Sequence, residues 1–348
     1  MKFSVKYIFA MVATTMFMVA CAPDKGNEPD APDSPNTPTN PEQPQDPQEP
    51  SNPQEPETPG SSDGDLLIPA QEGSAAVNDG YTLVWEDLFD EGYLDESVWN
   101  VEVNGNGGGN NELQYYRREN IGFEAEPTTN RQCLVLTARK ENYSGKNATS
   151  GRLNTKGKVA YQYGKIEALI KLPSTYKGLW PAFWMMGNDF DQVGWPACGE
   201  LDILEMGNAG GFSSPNKAAA YLNGACHWGP SWDKHYCYGP STTLNTSLQD
   251  GEFHLITVTW DEQYIRCYAN YGTATQEKYY EIDVTKVDFS DNTVAGNYFK
   301  KPFFIIFNLA VGGNFPGIWD INQISALNAD NNYEAKMYID YVKVYQKK

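Results

Sequence analysis

The chain has 348 residues and sets 45 Asp and Glu against 26 Lys and Arg, a formal net charge of −19 at pH 7. An acidic balance with no Lys/Arg cluster excludes a general nucleic-acid binder. With three histidines and neither C-x-x-C nor H-E-x-x-H spacing, the sequence offers no transition-metal site and calls for no obligatory cofactor.

Residues 1–21, MKFSVKYIFAMVATTMFMVAC, place Lys2 and Lys6 ahead of an apolar run that ends at Ala20 and Cys21. The run is short and early for a membrane span and has the anatomy of a signal peptide. Its ending resembles a bacterial lipoprotein cleavage box, with Cys21 as the lipidated first residue of the mature chain. Residues 22–77 follow as a low-complexity segment in which every third position from Pro29 to Pro59 is proline. Polyproline II has three residues per turn, so these prolines line one edge of a rod that reaches roughly 95 Å at ~3.1 Å per residue. Eleven acids against Lys25 alone put −10 of the net charge into residues 22–65, which extends the segment further. The expectation is a stalk on a lipid anchor in the bacterial envelope, at the surface of the outer membrane. The CAPDK that opens it loosely resembles a surface-export tag. A proline-rich ligand for another domain is the rival reading.

Residues 78–348, about 270 in number, are enough for one large core. They hold short β-branched and aromatic runs separated by Gly, Asn, Asp and Pro: CLVLTAR (133–139), KIEALIKL (165–172), FHLITVTW (253–260), YIRCYANY (264–271), FFIIFNLAV (303–311) and MYIDYVKVY (337–345). No window of 12 shows a clean 3.6-residue stripe, so the pattern predicts an all-β, two-sheet sandwich. Cys133 and Cys267 fall inside apolar runs and read as core residues, while Cys226 and Cys237 are the nearest pair for a bridge.

Between these runs lies GELDILEMG (199–207), with Glu200, Asp202 and Glu205. On a strand the first two share a face and the third points away. A helix does not unite them, because offsets of two and five scatter around it. One β-bulge near Ile203–Leu204 returns Glu205 to the shared face, and bulges beside active sites re-aim side chains in this way. The glutamate backbones then stand roughly 13 Å apart, and their long side chains can close to the ~5–5.5 Å of a retaining glycosidase. One carboxylate attacks the anomeric carbon and the other protonates the leaving oxygen. Crowding raises one pKa and so selects the acid, while Asp202 orients the nucleophile. Trp180, Trp184 and Trp195 precede the acids, and Trp228 and Trp232 follow them. Tryptophans beside paired carboxylates suggest a cleft on which sugar rings stack. Trp99 and Trp260 read as core.

The ordered motifs LVWEDLF, GNNELQYY, GKVAYQYGKIEALIKLP, GLWPAFWMMG, GWPACGELDILEMG, ACHWG, PFFIIFNLAVGGNFPG and MYIDYVKVYQ resemble glycoside hydrolase family 16 in its bulged, laminarinase-like E-x-D-x-x-E form. The resemblance implies a concanavalin-like β-jelly roll with a concave sheet and an open glycan cleft. It also implies endo-acting, retaining hydrolysis of β-glucans or related galactans. Carried over, Glu200 is the nucleophile, Glu205 the acid/base and Asp202 their partner. His227 resembles the histidine beside the catalytic acids. Trp184, Trp195 and Trp228 are expected at the substrate, with Asn111, Arg152 and Asn308 as polar contacts in the cleft. Members of the family often hold a structural calcium on the convex face, fed in part by the aspartate matching Asp340. Relatives read W-x-D-E-F where this chain has WEDLF, so Leu88 replaces one acid.

The GNNELQYY and NLAVGGNFPG matches lean toward laminarin-type β-1,3-glucan, with mixed-linkage β-1,3-1,4-glucan next and agar-like galactans distant. The expected state is a monomer. A transglycosylase shares the covalent intermediate. A glycan-binding lipoprotein would have no use for both glutamates, and a purely adhesive protein would leave the acids without a role.

Overall fold

The computed structural model of the protein describes residues 80–286, 288–289 and 293–347. The leader, Cys21 and the proline-rich segment lie outside the described residues. Two sheets dominate. The first has nine strands, labelled β1 to β9 in chain order: Asn100–Val101, Arg152–Asn154, Ala160–Tyr161, Leu179–Gly187, Glu200–Met206, Tyr221–Trp228, Tyr236–Tyr238, Ser241–Thr243 and Phe303–Val311. Its spatial order is β7-β6-β5-β4-β9-β2-β1, with β8 paired to β6 and β3 to β9. The second sheet runs from Glu277–Asp283 through Tyr264–Ala269, His254–Trp260, Gly164–Lys171 and Glu334–Lys347 to Gln132–Arg139 and beyond. The expected all-β sandwich and its six apolar runs are all present as strands.

Alternation explains where the core lies. β4 sends Leu179, Phe183 and Met185 into the main core, while Ala182, Trp184 and Met186 pack in a smaller cluster on its other face. β9 does the same, with Phe303, Ile305, Phe307, Leu309 and Val311 inside and Phe304 and Ile306 in the smaller cluster. Strands apolar on both faces read as continuous runs, as FFIIF does. Trp99 and Trp260 are each 1% exposed and belong to the core. Cys133 and Cys267 are buried free thiols, and so is Cys226, which faces Tyr238 across β6 and β7. The cysteine pair nearest in sequence is therefore not a bridge.

The glycines that bracket β5 are required by geometry. Gly199 and Gly207 have φ of 76° and 98°, where side chains are disfavoured. A Cβ on Gly207 would also stand 1.9 Å from the Leu179 carbonyl oxygen.

Candidate active site

Along β5, Asp202 pairs with Trp184 of β4 and Glu205 with Ala182, so three residues of advance on one strand meet two on the other. The same slip recurs against β6, where Asp202 faces Ala225 and Glu205 faces Asn223. The bulge expected at Ile203–Leu204 is there. Both of its apolar side chains enter the core, and Glu205 turns back to the face of Glu200 and Asp202.

Each glutamate is held by an indole on the same sheet face. The Trp195 indole N–H donates to Glu200 Oε2 at 2.9 Å, and the Trp180 indole N–H donates to Glu205 Oε1 at 3.1 Å. His227 lies opposite Glu200 on β6. Its Nε2 is 3.4 Å from Asp202 Oδ2 and 3.8 Å from Glu200 Oε1. Asp202 is 4% exposed, and its Oδ2 makes no hydrogen bond among the described residues.

With no Lys or Arg ion-paired to them among the described residues, burial governs the carboxyls. It pushes Glu200 up to about 7, opposed by the Trp195 N–H and the field of Arg152. It pushes Glu205 up to about 8, reinforced by the charge of Glu200 and opposed by Trp180. Asp202 rises well above the ordinary range through burial and then the two glutamates. Burial pushes His227 down to about 4, which keeps it neutral. One ligand atom each from Glu200, Asp202 and His227 falls within 4.8 Å of the others. The acids' preference for the protonated form suits proton transfer.

A second cluster lies on the same sheet face beside Asp202. Trp184 donates to Asn308 Oδ1 at 2.7 Å, and the Arg152 guanidinium lies 4.8 Å from the centre of the Trp184 ring. Arg152 Nε also donates to Glu102 Oε1 at 2.9 Å, and Asn154 donates to the same oxygen. Trp184 is 9% exposed, with the Arg152 guanidinium over its ring, so little of the ring is open to solvent. Trp195 is half-buried, 4.2 Å between ring centres from Trp232, which is 69% exposed. Asn111 is exposed and donates to Asn314 Oδ1, which also accepts from the Trp319 indole. It has φ 57°, so turn chemistry accounts for it as readily as ligand contact.

Trp228 corrects an expectation. It is fully buried in the core near Tyr236 and Phe299. Strand alternation allows only one of His227 and Trp228 to face the cleft, and the histidine does. Two residues escaped the sequence reading. Glu102, on a loop, fixes Arg152. His235 donates to or accepts from His227 at 3.0 Å. The only sequence clue to His235 was that two of three histidines flank the Gly229–Pro230 turn.

The residues expected around a calcium do not fit one. Leu88 supplies no ligand. Both Asp87 oxygens already accept, from Phe89 N at 3.0 Å and the Trp99 indole at 2.8 Å. Asp340 Oδ2 takes a hydrogen bond from Arg131 Nη1 at 2.5 Å, so a guanidinium occupies its charge.

The family model for glycosyl hydrolases family 16 matches residues 114–300. The chain belongs to that family. It is 35% identical to the clotting factor G alpha subunit of Tachypleus tridentatus over 76% of its own length, but spans only 34% of that relative. Among solved structures it is similar to the GH16 protein of the Bacteroides ovatus mixed linkage glucan PUL in complex with G4G4G3G product. That likeness has 39% identity and a TM-score of 0.64, covering 75% of this chain and 99% of the other. The laminarinase (endo-1,3-beta-glucanase) catalytic domain of Thermotoga petrophila RKU-1 gives 33% and 0.61, covering 77% and 98%. The two solved structures share this chain's fold.

Proposed function

We propose that the protein is a retaining endo-β-glucanase. The observation that carries this is the bulge, which puts two half-buried glutamates on one face, each pinned by an indole and neither ion-paired to a Lys or Arg among the described residues. In the first step Glu200 attacks the anomeric carbon, the glycosidic C–O bond breaks, and Glu205 gives its proton to the departing oxygen. The sugar is then an ester of Glu200. In the second, Glu205 takes a proton from water, the water oxygen attacks the same carbon, and Glu200 leaves as carboxylate. Glu205, with the charge of Glu200 raising it further, is the better proton carrier.

Laminarin-type β-1,3-glucan was the leading expectation from motifs. The greater identity to the structure from a mixed-linkage-glucan locus favours mixed-linkage β-1,3-1,4-glucan as the first polymer to test. The reading of the N-terminal residues stands as a proposal of the same kind: export, a lipid on Cys21, a stalk, and a monomeric catalytic unit from residue 78. Given Leu88 and the Arg131–Asp340 pair, we also propose that the fold needs no calcium.

The test is reducing-end release from mixed-linkage glucan, laminarin and agarose, with the anomer of the fresh product followed by NMR. Glu200-dependent release of the β-anomer supports the reading. An initial α-anomer, or full activity in Glu200→Gln, overturns it.

A further inference from the structure

His235 sits just before β7, diagonal to His227 across the β6–β7 pairing, in which His227 faces Cys237. The two imidazoles lie nearly parallel, at 12° and 5.1 Å between centres, with His227 Nδ1 and His235 Nε2 3.0 Å apart. Trp195 packs against both rings, at 6.2 Å and 4.5 Å. The pair is thus clamped by the same indole that donates to Glu200. The far nitrogen of His227 meets Asp202 Oδ2, the buried atom that lacks a hydrogen bond.

Proton bookkeeping along this row allows few arrangements. A neutral imidazole has one N–H and one bare nitrogen, so whatever His235 does at Nδ1 fixes what His227 presents at Nε2. The titratable groups that the structure places against His227 are Glu200 and Asp202 from β5 and His235 from the turn. If Nε2 carried the proton, it would pull negative charge onto Asp202 and into a cluster of acids. If Nε2 is bare, it accepts the proton of a neutral Asp202 and satisfies the orphan Oδ2.

Resting on the assignment of Glu200 as nucleophile, we propose that His235 is a positioning residue that accepts the Nδ1–H of His227, so that a bare Nε2 faces Asp202 and holds its proton away from Glu200. Glu200 then attacks as a free carboxylate with only the Trp195 N–H on it. Burial, which keeps both histidines neutral, suits this arrangement.

The experiment is long-range nitrogen NMR of the histidine rings in the full-length protein without substrate, paired with steady-state kinetics of His235 variants. With three histidines in the chain, His227 can be assigned by substitution. The expected spectrum shows His227 protonated at Nδ1 and bare at Nε2. His235→Gln, whose amide oxygen can accept, should keep that tautomer and most of kcat. His235→Leu and His235→Lys cannot accept. Each should shift the tautomer and lower kcat about tenfold, the scale of one hydrogen bond, with KM within about twofold. A parent His227 protonated at Nε2 overturns the proposal, as does a Lys variant that matches Gln. The spectrum of the resting protein stands apart from turnover, so a failure here is distinct from failure of Glu200→Gln to abolish hydrolysis.

Discussion

Glutamates in two regions of this molecule have pKa values shifted in opposite directions. Glu126, 2% exposed, lies beside the second sheet, where Lys171 Nζ stands 2.7 Å from its Oε1. Thr128 and Thr129 also donate to it from backbone and hydroxyl. Burial pushes its pKa up, but Lys171 and the threonine donors outweigh that and bring it down to about 2. In the cleft, Glu200 and Glu205 have one indole each and no cation bonded to them, and burial wins. Residue type is the same in the two regions. Depth does not explain the difference, because Glu126 is the more fully covered while Glu200 and Glu205 are half-buried. What separates a structural carboxylate from a reactive one is whether the fold supplies the compensating charge.

The largest effect should come from the cleft. Glu200→Gln is expected to reduce turnover to background while glucan binding, followed by affinity electrophoresis, stays near the parent's. Glu205→Ala should cost about 10²–10⁴-fold on polysaccharide. It should recover much of that on aryl glycosides whose leaving groups need no proton. Equal losses on both substrates would remove Glu205 from the acid role.

The second sheet should show the converse. Lys171→Met strips the cation from Glu126 and should destabilise by about 3 kcal/mol, roughly 10 °C in Tm, with kcat unchanged. The sign with pH follows from a depressed pKa. Glu126 contributes stability above its unfolded value near 4.5, and that is lost as pH falls toward 2. The penalty of Lys171→Met should therefore be full at pH 7 and shrink below about 4.5.

Returning to the cleft, Glu205→Gln should raise stability. A raised pKa means the folded state keeps a proton that the unfolded chain releases, so the parent loses stability as pH climbs from about 4.5 to about 8. Glutamine does not titrate. Calorimetry should show a Tm advantage that is small below about pH 4.5 and grows across that window. An advantage that is flat in pH would mean packing, not charge, is responsible.

How much of this could be read in the sequence depended on chain distance. The parity fault of Glu205 against Glu200 and Asp202 lies within six residues, so period-two reasoning located the bulge. Trp228 was misplaced although the same rule was available: next to a cleft-facing His227 it had to face inward. His235 and Glu102 act through tertiary meetings across a turn or between strands, which no local pattern encodes. The Trp184–Asn308 bond joins residues 124 apart in the chain, and only the β4–β9 pairing brings them together.

The smallest expected effect concerns calcium, and it sharpens the contrast on a third carboxyl. Asp340 is pushed up by burial and pulled back by Arg131, so its cation is internal. On the proposal that Arg131 takes the place of calcium, chelation with EDTA should leave Tm within about 1 °C of the calcium-saturated value, since no ion release would couple to unfolding. Arg131→Ala should lower Tm by removing the partner of a half-buried carboxylate. Adding Leu88→Glu to Arg131→Ala restores the acid that relatives carry and frees Asp340. That double variant should gain a calcium-dependent Tm that neither single variant shows. Calcium stabilisation of the parent itself would instead mean that Arg131 yields to the ion, and the internal-cation account would fall.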